Sequence, residues 1–151
     1  MEDILHLFRL YRDDVYRLAL SYTASRADAE DISQTVFLKL LQQPELETGK
    51  EKQWLLRVTA NECKSLLRSA WWRRSAPLEE AAEKAQDPDD RDVLSAVLAL
   101  KPQYRAVVYL HYYEGYSARE IASILRITVS AVTTRLQRAR SLLKQVLEET
   151  P

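Results

Sequence analysis

Two stretches of this 151-residue chain gather side chains suited to nucleic acid. Arg57, Asn61, Lys64, Ser65, Arg68 and Trp72 recur at helical steps, so they share one face of a helix. That stripe holds three cations, an amide, a hydroxyl and an aromatic ring, with no carboxylate, and it runs on into Trp71-Trp72-Arg73-Arg74. Cations neutralise phosphates and flat rings stack on bases, which is the pairing that a single strand requires. A solvated helix face whose tryptophans turn to the core would show the same spacing. The second stretch runs from Arg126 to Lys144, with five basic residues and no acid. Within it Ser130, Thr133, Thr134, Arg135, Gln137 and Arg138 could reach base edges and phosphates from a helix laid in a major groove. A helical hairpin used only for packing would need neither the all-basic charge nor the hydroxyl-rich leading turn. Duplex DNA fits better than RNA, whose deep, narrow major groove excludes a helix.

Catalytic chemistry finds no support. Cys63 is the single cysteine and His6 and His111 are the only histidines, a poor basis for a metal site and insufficient for an internal disulfide. No nucleophile–base pair or glycine-rich phosphate loop is present, so no cofactor is expected.

The elements that must position these residues are helices. Two glycines and five prolines are too few for the turns of a sheet protein, while 46% apolar residues supply a core. Ile4, Phe8, Tyr11, Val15, Leu18 and Tyr22 mark a first helix over about 3–23, and Ile32, Val36, Phe37, Leu40 and Leu41 a second that ends near Gln43-Pro44. A third runs from about Glu51 to Trp72 with Leu55, Val58, Leu66 and Ala70 toward the core. Further on, one helix covers 92–100 and another passes through Tyr104 to Tyr112, ended by Gly115-Tyr116. Ser117-Ala118-Arg119-Glu120 is a capping box, so a short helix starts at Ala118. It is interrupted at Arg126-Ile127-Thr128, where Thr128 can cap the next helix. Ile121, Ala122, Leu125, Ile127, Val132 and Leu136 would form the shared core of this helix-turn-helix.

Net charge is zero, yet the sign is divided. Residues 1–70 hold 10 Lys/Arg and 11 Asp/Glu, residues 71–92 hold 4 and 7, and residues 93–151 hold 8 and 4. The stretch from Ser75 to Asp90 carries six acids, one base and two prolines and reads as a flexible or partly helical linker. The expected fold is all-α, with two small helical domains (1–74 and 91–151) joined by an acidic linker (75–90). No run approaches the roughly 18 apolar residues of a membrane span, and Met1 leads into Glu2-Asp3 rather than a signal core, so a cytoplasmic protein without membrane insertion is expected.

Leu100-Lys101-Pro102-Gln103-Tyr104-Arg105, Tyr113 to Ala122, and Val132 to Arg140 closely resemble region four of the bacterial extracytoplasmic-function (ECF) sigma factors. Asp28 to Phe37 and Trp54 to Asn61 resemble region two of the same family. The resemblance implies a subunit that binds core RNA polymerase, recognises promoter DNA and helps open it. It implies that the helix from Asp28 to Leu41 docks on the clamp coiled coil of the large catalytic subunit through Asp31, Gln34 and Phe37. It also implies that the third helix holds the minus-10 strand, with Asn61, Ser65 and Arg68 near a captured base, Arg57 and Lys64 on phosphates, and Trp72 at the end of the stripe. Ser130, Thr133, Thr134, Arg135 and Arg138 would meet the minus-35 element. An anti-sigma factor, typically membrane-bound, is a further implied partner.

Three positions depart from the family pattern. Ser65 stands where Asp is usual and leaves the minus-10 preference open, while Arg126 and Ala131 stand where Gly is usual. A left-handed Arg126 would cost roughly 1 kcal/mol, so the turn could take a different shape. Ala131 favours the recognition helix. A two-domain repressor or activator, an enzyme and a helical interaction bundle are the competing readings, and none of them accounts for both the Asn61 stripe and the basic second half.

Overall fold

The computed structural model describes residues 2–43, 46–70 and 96–149. The expected linker, Trp72 and most of the helix expected over 92–100 lie outside the described residues, as do the side chains of Ala70, Val146 and Leu147. Among the described residues all regular structure is helical, and they fall into two compact units.

The first unit is built from α1 (Glu2–Thr23), α2 (Arg26–Gln42) and α3 (Glu51–Ala70). Val15, Leu18, Ala29, Val36, Leu55, Leu56, Ala60 and Cys63 are wholly buried. The break expected at 25–28 is a tight corner instead. Ala24 takes a left-handed φ of 52°, Ser25 donates its N–H to Thr23 Oγ1 at 3.3 Å, and the Ser25 hydroxyl caps α2 by accepting from the Asp28 N–H at 3.3 Å. Across the helices Lys39 pairs with Glu62, and Lys52 reaches Asp14 at 3.8 Å with its ammonium 6.0 Å from the Tyr11 ring centre.

One expectation about this core needs correction. α3 packs against both α1 and α2, so its buried strip is wide and runs through Leu55, Leu56, Thr59, Ala60 and Cys63, leaving Val58 and Leu66 half-exposed. Thr59 is tolerated there because its hydroxyl donates to the Leu55 carbonyl at 2.7 Å. The apolar stripe of α1 is covered only toward its C-terminal end: Val15, Leu18 and Tyr22 are buried, whereas Phe8 is exposed, as is Leu41 on α2.

The second unit contains α4 (Pro102–Val108), α5 (Ala118–Leu125) as far as Ser123, and α6 (Val129–Glu149). Pro102 opens α4, where its missing N–H costs nothing. The helix expected through Tyr112 changes pitch: Tyr109–Tyr113 form a π-helical turn in which the Glu114 N–H donates to the Tyr109 carbonyl at 3.1 Å, and Gly115, at φ 79°, ends it. Arg105 is buried and donates through Nη1 to the carbonyls of Leu98 and Leu100 at 3.3 and 2.6 Å. Its burial pulls the guanidinium pKa down to about 10, still well above neutrality, so it stays charged.

The capping box forms as expected. The Ser117 N–H donates to Glu120 Oε1 at 3.0 Å and the Glu120 N–H to Ser117 Oγ at 3.2 Å. Thr128 caps α6 by accepting from the Ala131 N–H at 3.0 Å. Between them Arg126 takes the left-handed conformation, at φ 56°, which a glycine would adopt there without strain. Ile121, Ala122, Leu125, Val132 and Leu136 are buried and Ile127 half-buried.

Candidate nucleic-acid interface

On α6 the buried row Val132, Leu136 and Ala139 fixes which side chains face outward. Ser130, Thr133 and Arg138 are exposed, and Thr134 and Arg135 are half-buried. Five of these outward positions carry the hydroxyls and guanidiniums expected to meet DNA. The Thr133 hydroxyl donates back to the carbonyls of Val129 and Ser130, at 3.1 and 3.0 Å, so what it offers outward is its lone pairs. A base amino group is the complementary partner for such an acceptor.

Arg135 and Arg138 do not stand on a bare helix. With Ser130, Ala131, Thr134 and the cap residue Thr128 they wall a cleft of about 420 Å³ whose other side is Gln103 and Tyr104 from the start of α4. No carboxylate lines it. Gln103 was not among the sequence-expected contacts, because nothing in local spacing connects the first turn of α4 to a helix that begins at Val129.

The α3 stripe divides differently. Asn61, Ser65 and Arg68 are exposed, while Arg57 and Lys64 are half-buried, and all five lie opposite the buried strip. Ser65 opens on a cleft of about 310 Å³ shared with Asp28, Asp31, Thr35, Glu62 and Ser69. Three carboxylates there would repel a phosphate and would accept hydrogen bonds from the amino edge of a base. Ser65 therefore sits in a different electrostatic environment from Arg57 and Arg68.

The residues expected on the polymerase face are also separated. Asp31 and Gln34 are exposed on α2, but Phe37 is buried and packs edge-on against Phe8, with ring centres 4.8 Å apart. Phe37 and Gln34 line an apolar cleft of about 830 Å³ together with Ile4, Leu5, Phe8, Leu38 and Leu41. Leu38 and Leu41, 60% and 57% exposed, continue the face of Asp31 and Gln34 at steps of four and three. Leu41 belongs to the apolar run that marks α2, and its three-four-three spacing from Asp31 was the signal that it shares the exposed face.

Cys63 is wholly buried, and burial, with the nearby negative charge of Glu62 and then Asp28, pushes its thiol well above the ordinary range. It is an inert packing residue at neutral pH. Among the described residues no group of His, Cys, Asp and Glu could hold a metal ion, and no helix is long and apolar enough to cross a membrane.

Comparison with known proteins bears on the same segments. Residues 7–73 match the family profile of Sigma-70 region 2 and residues 90–143 that of Sigma-70 region 4. The ECF RNA polymerase sigma factor SigE of Mycolicibacterium smegmatis is 32% identical over 93% of this chain, which spans 60% of that relative. SigL of Mycobacterium tuberculosis, another ECF RNA polymerase sigma factor, is 31% identical over 89% of this chain and 83% of its own length. Among solved structures, the sigma factor RpoE in complex with the anti-sigma factor NepR from Bartonella quintana shares the fold over 100% of both chains, at a TM-score of 0.78 and 21% identity. CnrH in complex with the cytosolic domain of CnrY gives 0.70 at 25% identity, over 98% of this chain and 89% of that one.

Proposed function

The chain belongs to the ECF RNA polymerase sigma factors, and from that premise we propose that it binds bacterial core RNA polymerase, directs it to promoters and helps open the DNA for initiation. It acts in the cytoplasm as a binding factor rather than an enzyme. The observation that carries this reading is the outward face of α6, where hydroxyls and two guanidiniums line a polar cleft with no acid, on a helix-turn-helix whose caps are both made. A duplex major groove supplies the acceptors, donors and phosphates that match that face.

In this assignment residues 1–74 form the polymerase and minus-10 domain, 75–90 the linker, and 91–151 the minus-35 domain. Ser130, Thr133, Thr134, Arg135 and Arg138 meet the minus-35 element. Arg57 and Lys64 hold phosphates of the minus-10 strand, Asn61, Ser65 and Arg68 stand near a captured base, and Trp72 is assigned to the same strand. Asp31 and Gln34 contact the polymerase clamp directly, with Phe37 contributing as the floor of the neighbouring cleft. A regulator of the anti-sigma class would act by covering these faces; the two solved relatives were both captured with a partner protein.

The test is a binding comparison on core polymerase. Asp31→Ala combined with Gln34→Ala is expected to weaken core binding about tenfold, equivalent to about 1.4 kcal/mol, while duplex binding by the second half persists. Saturation of core at the wild-type concentration would overturn the clamp assignment.

A further inference from the structure

We propose that the cleft between the first turn of α4 and α6 seats one backbone phosphate of the bound duplex, with Arg135 supplying the charge and Gln103 a neutral N–H donor from the opposite wall. The inference rests on the reading of α6 as the duplex-binding helix and adds to it a positioning residue, Gln103, that lies outside the helix-turn-helix.

Three observations carry it. First, the cleft is polar, holds about 420 Å³, and has two guanidiniums and no carboxylate in its lining. That is an order of magnitude more than the roughly 30 Å³ share of one water. Second, its walls are fixed: Tyr104, the neighbour of Gln103, is buried in a cluster with Leu100 and Ala139, and Ala139 belongs to α6. Gln103 is therefore held at a set distance from Arg135 while its own amide stays exposed. Third, neither Arg135 nor Arg138 makes an ion pair or hydrogen bond among the described residues, so both guanidiniums face the cleft with their donors available.

A guanidinium half-buried at the side of a recognition helix, next to a second helix, is displaced from the base edges at the groove floor. A phosphate at the groove wall is the anion it meets first, and an N–H donor across the cleft completes its coordination. Arg135 therefore sets the register of α6 in the groove, and Ser130, Thr133 and Thr134 read the bases.

Salt dependence separates the roles, because each phosphate neutralised by a cation adds about 0.9 to the slope of log K against log salt, while a neutral donor adds nothing. The full chain would be titrated at low salt with two short duplexes of unrelated mixed sequence, comparing wild type, Arg135→Ala, Gln103→Lys and the double variant. Arg135→Ala is expected to weaken both duplexes equally and to lower the slope by about one. Gln103→Lys is expected to raise the slope by about one and tighten binding, and in the double variant to restore the wild-type slope. Neither side chain is in the core, so a purely structural role would leave the slope where it was. The proposal falls if Gln103→Lys leaves affinity and slope unchanged, or if Arg135→Ala keeps the slope and weakens one sequence selectively. Absence of duplex binding by the wild-type chain would overturn the reading of α6 itself.

Discussion

On α6 the cations stand beside hydroxyls and an amide, and the cleft they share has no acid; on α3 the comparable stripe opens at Ser65 onto a cleft walled by Asp28, Asp31 and Glu62. The first face has the charge that a phosphate backbone attracts, with no acid in its cleft to oppose it. The second combines attraction by Arg57 and Arg68 with local repulsion at Ser65. Such a surface suits a strand whose phosphates lie along one side and whose unpaired base enters the other. Flipping a base out costs a few kcal/mol, part of which hydrogen bonds from the base's amino group to the acids of that cleft would return. On the proposed function, duplex binding is thus the task of the second unit, and strand capture the task of the first once polymerase holds it in place.

Core variants give the largest test of that division. Leu18→Ala in the first unit and Leu110→Ala in the second each remove a wholly buried side chain and are expected to cost about 2–5 kcal/mol. Urea unfolding followed together with binding should show Leu18→Ala impairing core polymerase binding while sparing duplex binding, and Leu110→Ala doing the reverse. Simultaneous loss of both functions in either variant would dissolve the comparison. Next in size, Arg138→Ala is expected to weaken duplex binding by about 1–3 kcal/mol, whereas Arg68→Ala should leave duplex binding alone and reduce crosslinking to a single-stranded minus-10 oligonucleotide in the presence of core.

Smaller effects compare the two turns. Among the described residues two that are not glycine lie in the left-handed region, Ala24 at φ 52° and Arg126 at φ 56°. Arg126 is exposed, so Arg126→Gly relieves backbone strain and loses little packing; the expected gain is about 1 kcal/mol in urea unfolding. Ala24 is 3% exposed, so Ala24→Gly gains the same relief but gives up a buried methyl group worth about 0.8 kcal/mol. A net change near zero is expected there. Equal stabilisation by both substitutions would mean that the Ala24 methyl contributes nothing to the core.

The same contrast governs how much was legible in the sequence. Ser117, Glu120 and Thr128 form hydrogen bonds with backbone only three residues away, so caps and helix starts in the second unit could be read directly. Periodicity in the first unit showed which residues share a face but not whether another helix covers that face. That is why Phe8 and Leu41, both members of apolar periods, stand exposed, and why α3 buries Leu56, Thr59 and Ala60 beyond the expected row. The π-helical turn at Tyr109–Tyr113 left no mark, since the helix ends at Gly115 before a change of period can show in the apolar pattern. Gln103 was invisible because its role depends on α6, distant in sequence and adjacent only after folding. For the candidate sites, the cationic residues were found by type and spacing, whereas the acids around Ser65 required the packing of α2 against α3.

The most direct measurement of the central claim is transcription of fragmented genomic DNA by bacterial core polymerase, with and without this protein, followed by mapping of RNA 5′ ends. New start sites that share paired upstream elements and are absent with core alone are the expected result. Folded protein that neither binds a compatible core nor produces such starts would contradict the account and leave a DNA-binding regulator that acts without polymerase.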